Sequence, residues 1–341
     1  MVRIAVGVEY DGSAYAGWQA QASARTLQQV TEQALSSVAA EIVSLTCAGR
    51  TDAGVHASGQ VAHFDTHALR SPRSWVLGAN SELPPDVSLS WATPVPAHFH
   101  ARYCAEARTY RYLILNRLAR PALQASRAAW VHRRLDDERM RAAAQALLGE
   151  HDFSAFRSSE CQAKSPIRRM ERIGVERLGD WVVIEATANA FLHHMMRNLA
   201  GLLIAVGKGD APPEWAHEVL VGRDRMRNGA TAPAAGLYLL SVRYPAAFAL
   251  PAARRPGVWP ACSAMIASDV LVRENHALPH QDRAAYALGA GGPVDQVPGL
   301  RCGAVPRRAR AQFVCVPQVQ PPHAHGCTRS ARALPRPWLE R

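Results

Sequence analysis

Cys47-Ala-Gly-Arg-Thr-Asp-Ala-Gly-Val-His-Ala-Ser-Gly-Gln-Val-Ala-His-Phe64 is the stretch around which the chain is organised. The run before it, Glu41-Ile-Val-Ser-Leu-Thr46, is short, apolar and β-branched, and predicts a strand. Gln60-Val-Ala-His-Phe64 at its end predicts a second strand. Gly49, Gly54 and Gly59 punctuate the space between, and glycine lets a backbone approach a ligand closely. Among them stand a cation, a hydroxyl, a carboxylate and an imidazole: Arg50, Thr51, Asp52 and His56. A hairpin connection needs only about two to five residues. This loop is longer and carries more chemistry than a turn requires, and polar loops on a rigid sheet are favoured places for catalytic residues. The plain alternative is an Asx turn, with Asp52 bonded to its own backbone.

Working outward, residues 2–9 predict a strand and Tyr10-Asp-Gly-Ser-Ala-Tyr-Ala-Gly-Trp-Gln19 a loop. Thr26-Leu-Gln-Gln29 is a capping box that opens a helix to about Ala40, with Leu27, Val30, Ala34, Leu35 and Val38 on one face. Ser71-Pro72 opens a second helix that ends before Pro84-Pro85. Residues 87–93 alternate as a strand, which completes the order β-α-β-β-α-β. Residues 104–116 begin the second half as a strand with Tyr110, Tyr112 and Ile114 on one side and Arg111, Leu113 and Leu115 on the other. A helix over 136–148 follows, then a hairpin of 167–178 and 181–190 around Gly179-Asp180. Helices over 191–206 and 213–220 and a strand over 236–244 close the half in nearly the same order. Two such units predict an α+β fold of two ferredoxin-like β-α-β-β-α-β halves, residues 1–98 and 99–250. Their sheets would join edge to edge into one continuous antiparallel sheet with helices on one face.

The formal charge of +11 and pI of about 9.8 point to an anionic partner such as nucleic acid. Lys164 and Lys208 are the only lysines, so the basic character rests on arginine, whose fork matches a phosphate. No apolar run is long enough to span a bilayer, and the chain opens directly as a strand instead of an apolar leader. Seven scattered cysteines, without CxxC, suit a reducing, cytoplasmic setting better than a disulfide scaffold. Residues 251–341 differ from the rest. They hold 12 arginines against 5 acids, and 12 of the 23 prolines. That composition predicts a disordered Pro/Arg-rich tail, although an abrupt change of this kind is also what a shifted reading frame produces. Cys302, Cys315, His323, His325 and Cys327 are near one another in the tail, but their spacing fits no zinc motif.

At residues 48–57, Ala-Gly-Arg-Thr-Asp-Ala-Gly-Val-His-Ala resembles the active-site motif of the TruA-type tRNA pseudouridine synthases. The resemblance runs from about residue 3 to 250, departs slightly at Ser58, and does not extend into the tail. It implies that Asp52 is the catalytic residue, that the cleft lies between the two halves, and that the protein is a homodimer. It implies as substrate the uridines at positions 38, 39 and 40 of the tRNA anticodon arm. Tyr110, in Ala107-Arg-Thr-Tyr-Arg-Tyr112, matches the family's active-site tyrosine that stacks near the uracil, the alternative being a core aromatic. Arg197 matches the arginine that pairs with the catalytic Asp, and Arg50 is a candidate to hold the flipped nucleotide or a phosphate. Phe99-His100-Ala101-Arg102-Tyr103 and Glu160-Cys161-Gln162-Ala163-Lys164 resemble RNA-contacting segments. The first also has on its own the basic and aromatic mixture that suits phosphates and unstacked bases, against the reading of an ordinary linker. Gly236-Leu-Tyr-Leu239 resembles the strand that backs the uracil.

His193 and His194 are not a zinc motif, since HExxH sets its histidines one helical turn apart. On a helix, adjacent histidines point apart. Pseudouridine formation detaches uracil from C1′, turns it and rejoins it through C5. As an isomerisation it calls for no redox, metal or nucleotide cofactor. Asp52 would attack the sugar or remove a ribose proton, and extruding the nucleotide costs a few kcal/mol. Two other classes compete. A non-catalytic RNA-binding module has no use for Asp52 and Arg197 together, and a carboxylate-dependent hydrolase would want a second acid.

Overall fold

Among residues 1–251, which the computed structural model describes, ten strands and five α-helices follow one another. The first half contains β1 (Val2–Tyr10), α1 (Leu27–Ala39), β2 (Thr46–Cys47), β3 (His56–Thr66), α2 (Pro72–Glu82) and β4 (Val87–Val95). The second contains β5 (Ala107–Asn116), β6 (Ala129–Val131), α3 (Asp137–Gln145), β7 (Gly149–Asp152), β8 (Ile167–Leu178), β9 (Trp181–Ala188), α4 (Met195–Lys208), α5 (Trp215–Gly222) and β10 (Leu237–Arg243). The expectations for the tail beyond Pro251 lie outside the described residues.

Helix starts fall where side chains can cap them. Thr26 accepts from the Gln29 amide and donates to the Gln29 side chain at 2.6 Å, so it caps α1. Ser71 caps α2 with Pro72 at its first position, and Asp136 caps α3. Four elements differ from expectation. Residues 41–45 form no strand: Ser36 and Glu32 of α1 take the amides of Val43 and Leu45 at 2.9 and 2.7 Å, so the ladder bonds are spent on side chains. Strands β6 and β7 were not expected. Gly149-Glu-His-Asp152 carries no apolar alternation, so the sequence holds no signal for it. Helix α4 starts at Met195 instead of residue 191, because His194 takes a left-handed conformation (φ 63°, ψ 0°).

The strands run in the order β4-β1-β3-β10-β5-β9-β8-β7, with β2 on β3 and β6 on β5. The sheet is mostly rather than wholly antiparallel. β10 is antiparallel to β5 but parallel to β3, and β6 is parallel to β5. Leu239 lies opposite Tyr110 on one side and Ala57 on the other. Alternate residues serve different faces, as the period of two requires. Val6, Phe64, Tyr110, Tyr112, Ile184 and Leu239 belong to one large apolar cluster. It also takes in Leu35 of α1, Trp75 of α2, Met140 of α3, Leu203 of α4 and Val219 of α5. Leu113, Leu115, Val183 and Leu240 form a second cluster, and Ala5, Val61, Val95 and Phe99 a third. Neither contains a residue of α1 to α5.

The segment 99–103 bridges the halves. The Ala101 amide donates to His63 Nδ1 at 3.2 Å, and Arg3 donates to the carbonyls of Ala97 and Phe99 at 2.6 and 2.8 Å. Phe99 packs on Tyr244 and Phe248, with ring centroids 5.3 and 5.0 Å away. Burial, with Arg3 and His100 acting in the same direction, pushes the His63 imidazole down to about 4.

Two outcomes follow from this architecture. A Cβ on Gly59 would run into the carbonyl of Leu240, where β3 and β10 meet. Gly59→Ala should therefore cost about 1–3 kcal/mol, read as a lower Tm and an earlier urea midpoint; an unchanged Tm would contradict this close approach. His63 titrates near 4 when folded but near the ordinary value of about 6.5 when unfolded. Between these values the unfolded chain binds more protons, so stability falls as the pH drops from about 6.5 towards 4, and this group adds no further loss below that. Its share is at most ~3 kcal/mol. Calorimetry on His63→Gln should give a flatter Tm–pH profile over that window, and a profile as steep as wild type would refute the assignment.

Candidate active site

The loop 48–55 is held from several sides. The Ala48 amide donates to the Val61 carbonyl at 2.7 Å, Gln60 Nε2 donates to the Gly49 carbonyl at 2.7 Å, and Arg108 donates to the Ala48 carbonyl at 3.1 Å. The Thr51 hydroxyl meets that of Tyr10 at 2.8 Å, and the Trp18 amide donates to the Thr51 carbonyl at 3.0 Å. Gly54, at φ 76°, turns the chain in a conformation that a side chain would strain. Asp52 stands at the centre of this loop with its side chain about one-fifth exposed. It is not an Asx turn: its only side-chain hydrogen bond among the described residues comes from Arg197, 145 residues away.

Three groups at the start of α4 converge on that carboxylate. Arg197 Nη1 is 3.2 Å from Oδ2, His194 Nε2 is 3.4 Å from Oδ2, and His193 Nε2 is 3.4 Å from Oδ1. Arg197 is aimed by a second bond, from Nε to the Ala232 carbonyl at 2.9 Å. The two histidines do not point apart. They precede the helix, and the left-handed turn at His194 brings their rings within 4.1 Å of each other and both onto Asp52. Nitrogen and oxygen ligand atoms of Asp52, His193 and His194 lie within 4.8 Å of one another, the one such grouping among the described residues. The Arg197 guanidinium already occupies Oδ2 and would face any cation bound there, so the set does not fit a resident metal ion.

Tyr110 is buried in the wall beside this group, edge-on to Phe191 at 4.9 Å. Burial raises its hydroxyl above the ordinary phenol range, and the charge of Asp52 acts in the same direction. Tyr112 is a core residue whose hydroxyl donates to the Pro233 carbonyl at 2.7 Å. Arg50 is exposed and makes no hydrogen bond among the described residues. His56, quoted with the loop, begins β3 and is buried against Tyr238, at 4.6 Å between rings. Its Nδ1 accepts from the Gly12 amide at 3.1 Å, and Nε2 is 3.0 Å from the Ser126 carbonyl. Burial lowers its pKa, with Asp11 opposing, so it is a neutral structural group.

The two expected RNA-contacting segments divide by exposure. Phe99 and Ala101 are fully buried, because their side chains fill the junction under β3, which leaves His100, Arg102 and Tyr103 to face outward. Tyr103 stacks on His100 at 4.2 Å, with Arg102 over its ring at 5.9 Å. In 160–164, Glu160, Gln162 and Lys164 are exposed, while Cys161 and Ala163 lean on the core. The Ser158 amide donates to the His193 carbonyl at 3.0 Å, which ties this loop to the histidine pair. Beside it opens a cavity of about 750 Å³, bordered by Arg157, Ser158, His194, Arg223 and Asn228. Sequence reasoning missed this cavity, because its walls come from three separate segments spread over residues 154–231 with no shared motif.

Comparison with known proteins agrees with this geometry. A profile described as tRNA pseudouridine synthase matches residues 6–104 and 143–245; these blocks contain the Asp52 loop and α4, and β5 falls between them. The protein named tRNA pseudouridine synthase A of Coxiella burnetii (strain Dugway 5J108-111) is 55% identical over 251 residues, 74% of this chain and 96% of the relative. Its namesake in Nitrosococcus oceani is 55% identical over 259 residues, 76% of this chain and 100% of the relative. That of Methylococcus capsulatus is 56% identical over 249 residues, 73% and 92% of the two chains. Matches of this extent, across both halves and through the loop that presents Asp52, mean that the chain belongs to the tRNA pseudouridine synthase family.

Proposed function

We propose that the protein isomerises uridine to pseudouridine in the anticodon stem-loop of tRNA, at positions 38, 39 and 40, with Asp52 as the catalytic carboxylate. The observation that carries this reading is the meeting of Asp52 with Arg197 at 3.2 Å, across 145 residues of chain. The first half supplies the acid and the second its cationic partner. Family membership supplies the reaction class, an isomerase acting on tRNA.

The neighbours of Asp52 fit that chemistry. Breaking the glycosidic bond develops positive charge on the ribose, which a carboxylate 3 Å-scale away stabilises or captures. Tyr110 presents a ring for the detached uracil, with Leu239 beside it on β10. Arg50, exposed next to the acid, is placed to meet a phosphate of the extruded nucleotide. His100, Arg102 and Tyr103 form one outward patch, and Glu160, Gln162 and Lys164 another, for the RNA on either side. The ion-pair partners of Asp52 among the described residues are one arginine and two histidines, whereas a two-carboxylate hydrolase would pair it with an acid.

On this reading residues 1–98 and 99–250 are ferredoxin-like halves with the cleft between them, and the α helices share one face. The common apolar cluster of α1 to α5 supports that arrangement. The later half carries extra elements, β6, β7 and α5, on the same plan. No described helix is long and apolar enough to cross a membrane. A cytoplasmic homodimer is the assembly we infer; the free thiols of Cys47, Cys104 and Cys161 accord with a reducing compartment.

Asp52→Asn keeps the shape of the side chain and removes its charge. It should abolish pseudouridine formation, by at least about 10²-fold in kcat, and leave tRNA affinity within a few-fold of wild type. Turnover near the wild-type rate would remove Asp52 from its role. Arg50→Ala and Arg102→Ala should each weaken tRNA binding and lower the slope of log Kd against log salt by about one. Slopes equal to wild type in both variants would mean that neither arginine meets a phosphate.

A further inference from the structure

His194 is unusual in three respects. It adopts a left-handed backbone, φ 63° and ψ 0°, which a residue with a side chain takes only at a cost on the order of 1 kcal/mol. It stands at the N-cap of α4 yet its side chain caps nothing, so that position gives the helix no return. The left-handed turn instead carries its Nε2 to within 3.4 Å of Asp52 Oδ2. Its ring also borders the 750 Å³ cavity, so one edge stays open to an incoming group. His193 reaches the other carboxylate oxygen but does not border that cavity.

We propose that the imidazole of His194 is the base that removes the C5 proton of the target uracil in the last step of the isomerisation. This rests on the reading of Asp52 as the group that acts at the ribose. Whichever way Asp52 acts, uracil rejoins C1′ through C5. C5 then carries both its hydrogen and the ribose, with a C6=N1 double bond. Nε2 of His194 takes the C5 proton, and the C5–H electron pair forms the C5=C6 bond. The C6=N1 pair moves to N1, which takes a proton from solvent, and the imidazolium returns its own proton to solvent. Atoms and electrons balance without a co-reactant.

Position favours this residue. C5 is one bond from C1′ once the new glycosidic link has formed, and C1′ is the carbon that the Asp52 carboxylate serves. A nitrogen 3.4 Å from that carboxylate is therefore within reach of C5. The groups facing His194 are Asp52, His193, Arg197 and Glu160. Burial lowers its pKa, Asp52 and Glu160 oppose this, and His193 and Arg197 reinforce it, which leaves a neutral ring able to accept a proton. Tyr110 is the other titratable side chain in the wall, and burial makes its hydroxyl reluctant to ionise.

The test uses the full chain and tRNA transcripts whose uridines carry deuterium or hydrogen at C5, under single turnover, with pseudouridine measured by nucleoside analysis. Wild type should form pseudouridine at the same rate from both. His194→Gln should be slower by about 10²-fold or more and should show a primary isotope effect, because proton removal becomes limiting. His193→Gln should show no isotope effect. In His194→Gly, whose backbone suits the left-handed turn, added imidazole should restore the rate. A His194→Gln enzyme at the wild-type rate would overturn the proposal. So would a slow one without an isotope effect, in which imidazole fails to rescue His194→Gly; either result assigns His194 a structural role. Asp52→Asn serves as the separate arm: activity there would defeat the reading of Asp52, whatever His194 does.

Discussion

The parallel seam between β3 and β10 is the constraint on which the site depends. β10 is the last strand of the described chain, yet it enters the middle of the sheet, between the strand that follows the Asp52 loop and the strand that carries Tyr110. β10 joins β3 to β5, and residues from both sides of it belong to one apolar cluster. The seam is tight enough that Gly59 has no room for a Cβ against the Leu240 backbone. Closing contacts between residues so far apart in sequence carries a loop-entropy cost that local elements never meet. The large apolar cluster under the helices supplies the burial that offsets it.

The same seam decides the electrostatics. Asp52 comes from a loop of the first half, and Arg197, His193 and His194 come from the start of α4 in the second. None of these side chains is fully buried, so solvent can reach the group. The α4 start contributes direction as well as charge. Because the helix begins at Met195, the histidines lie on a turn instead of a helical face, and both can address one carboxylate. A carboxylate held by one guanidinium, with two imidazoles around it, is the arrangement that the proposed function uses at a sugar carbon.

Much of this was legible in the sequence, and the limits have physical reasons. Helices α1, α2 and α3 were readable because Thr26, Ser71-Pro72 and Asp136 cap them locally. The face pattern of β5 was readable because it alternates cleanly between two buried clusters. Asp52 and Arg197 were found through motifs, and their meeting at 3.2 Å accords with the expectation of a pair. What escaped depends on tertiary partners. The expected strand 41–46 is lost over residues 41–45 because side chains of α1 capture amides there, and β7 has no periodicity to read. The convergence of His193 and His194 hinges on one backbone angle, and no residue type announces it. The burial of Phe99 and Ala101 depends on Tyr244 and Phe248, which lie nearly 150 residues later.

The proposed function joins membership of a tRNA-modifying family to one carboxylate on a single sheet. Which nucleotides react is read most directly from the RNA. Unmodified tRNA transcripts would be incubated with the purified full chain, and pseudouridine mapped at nucleotide resolution. The account predicts new pseudouridine in the anticodon arm at positions 38, 39 and 40 wherever a uridine occurs there. Pseudouridine only in other arms, or none at all, would contradict it.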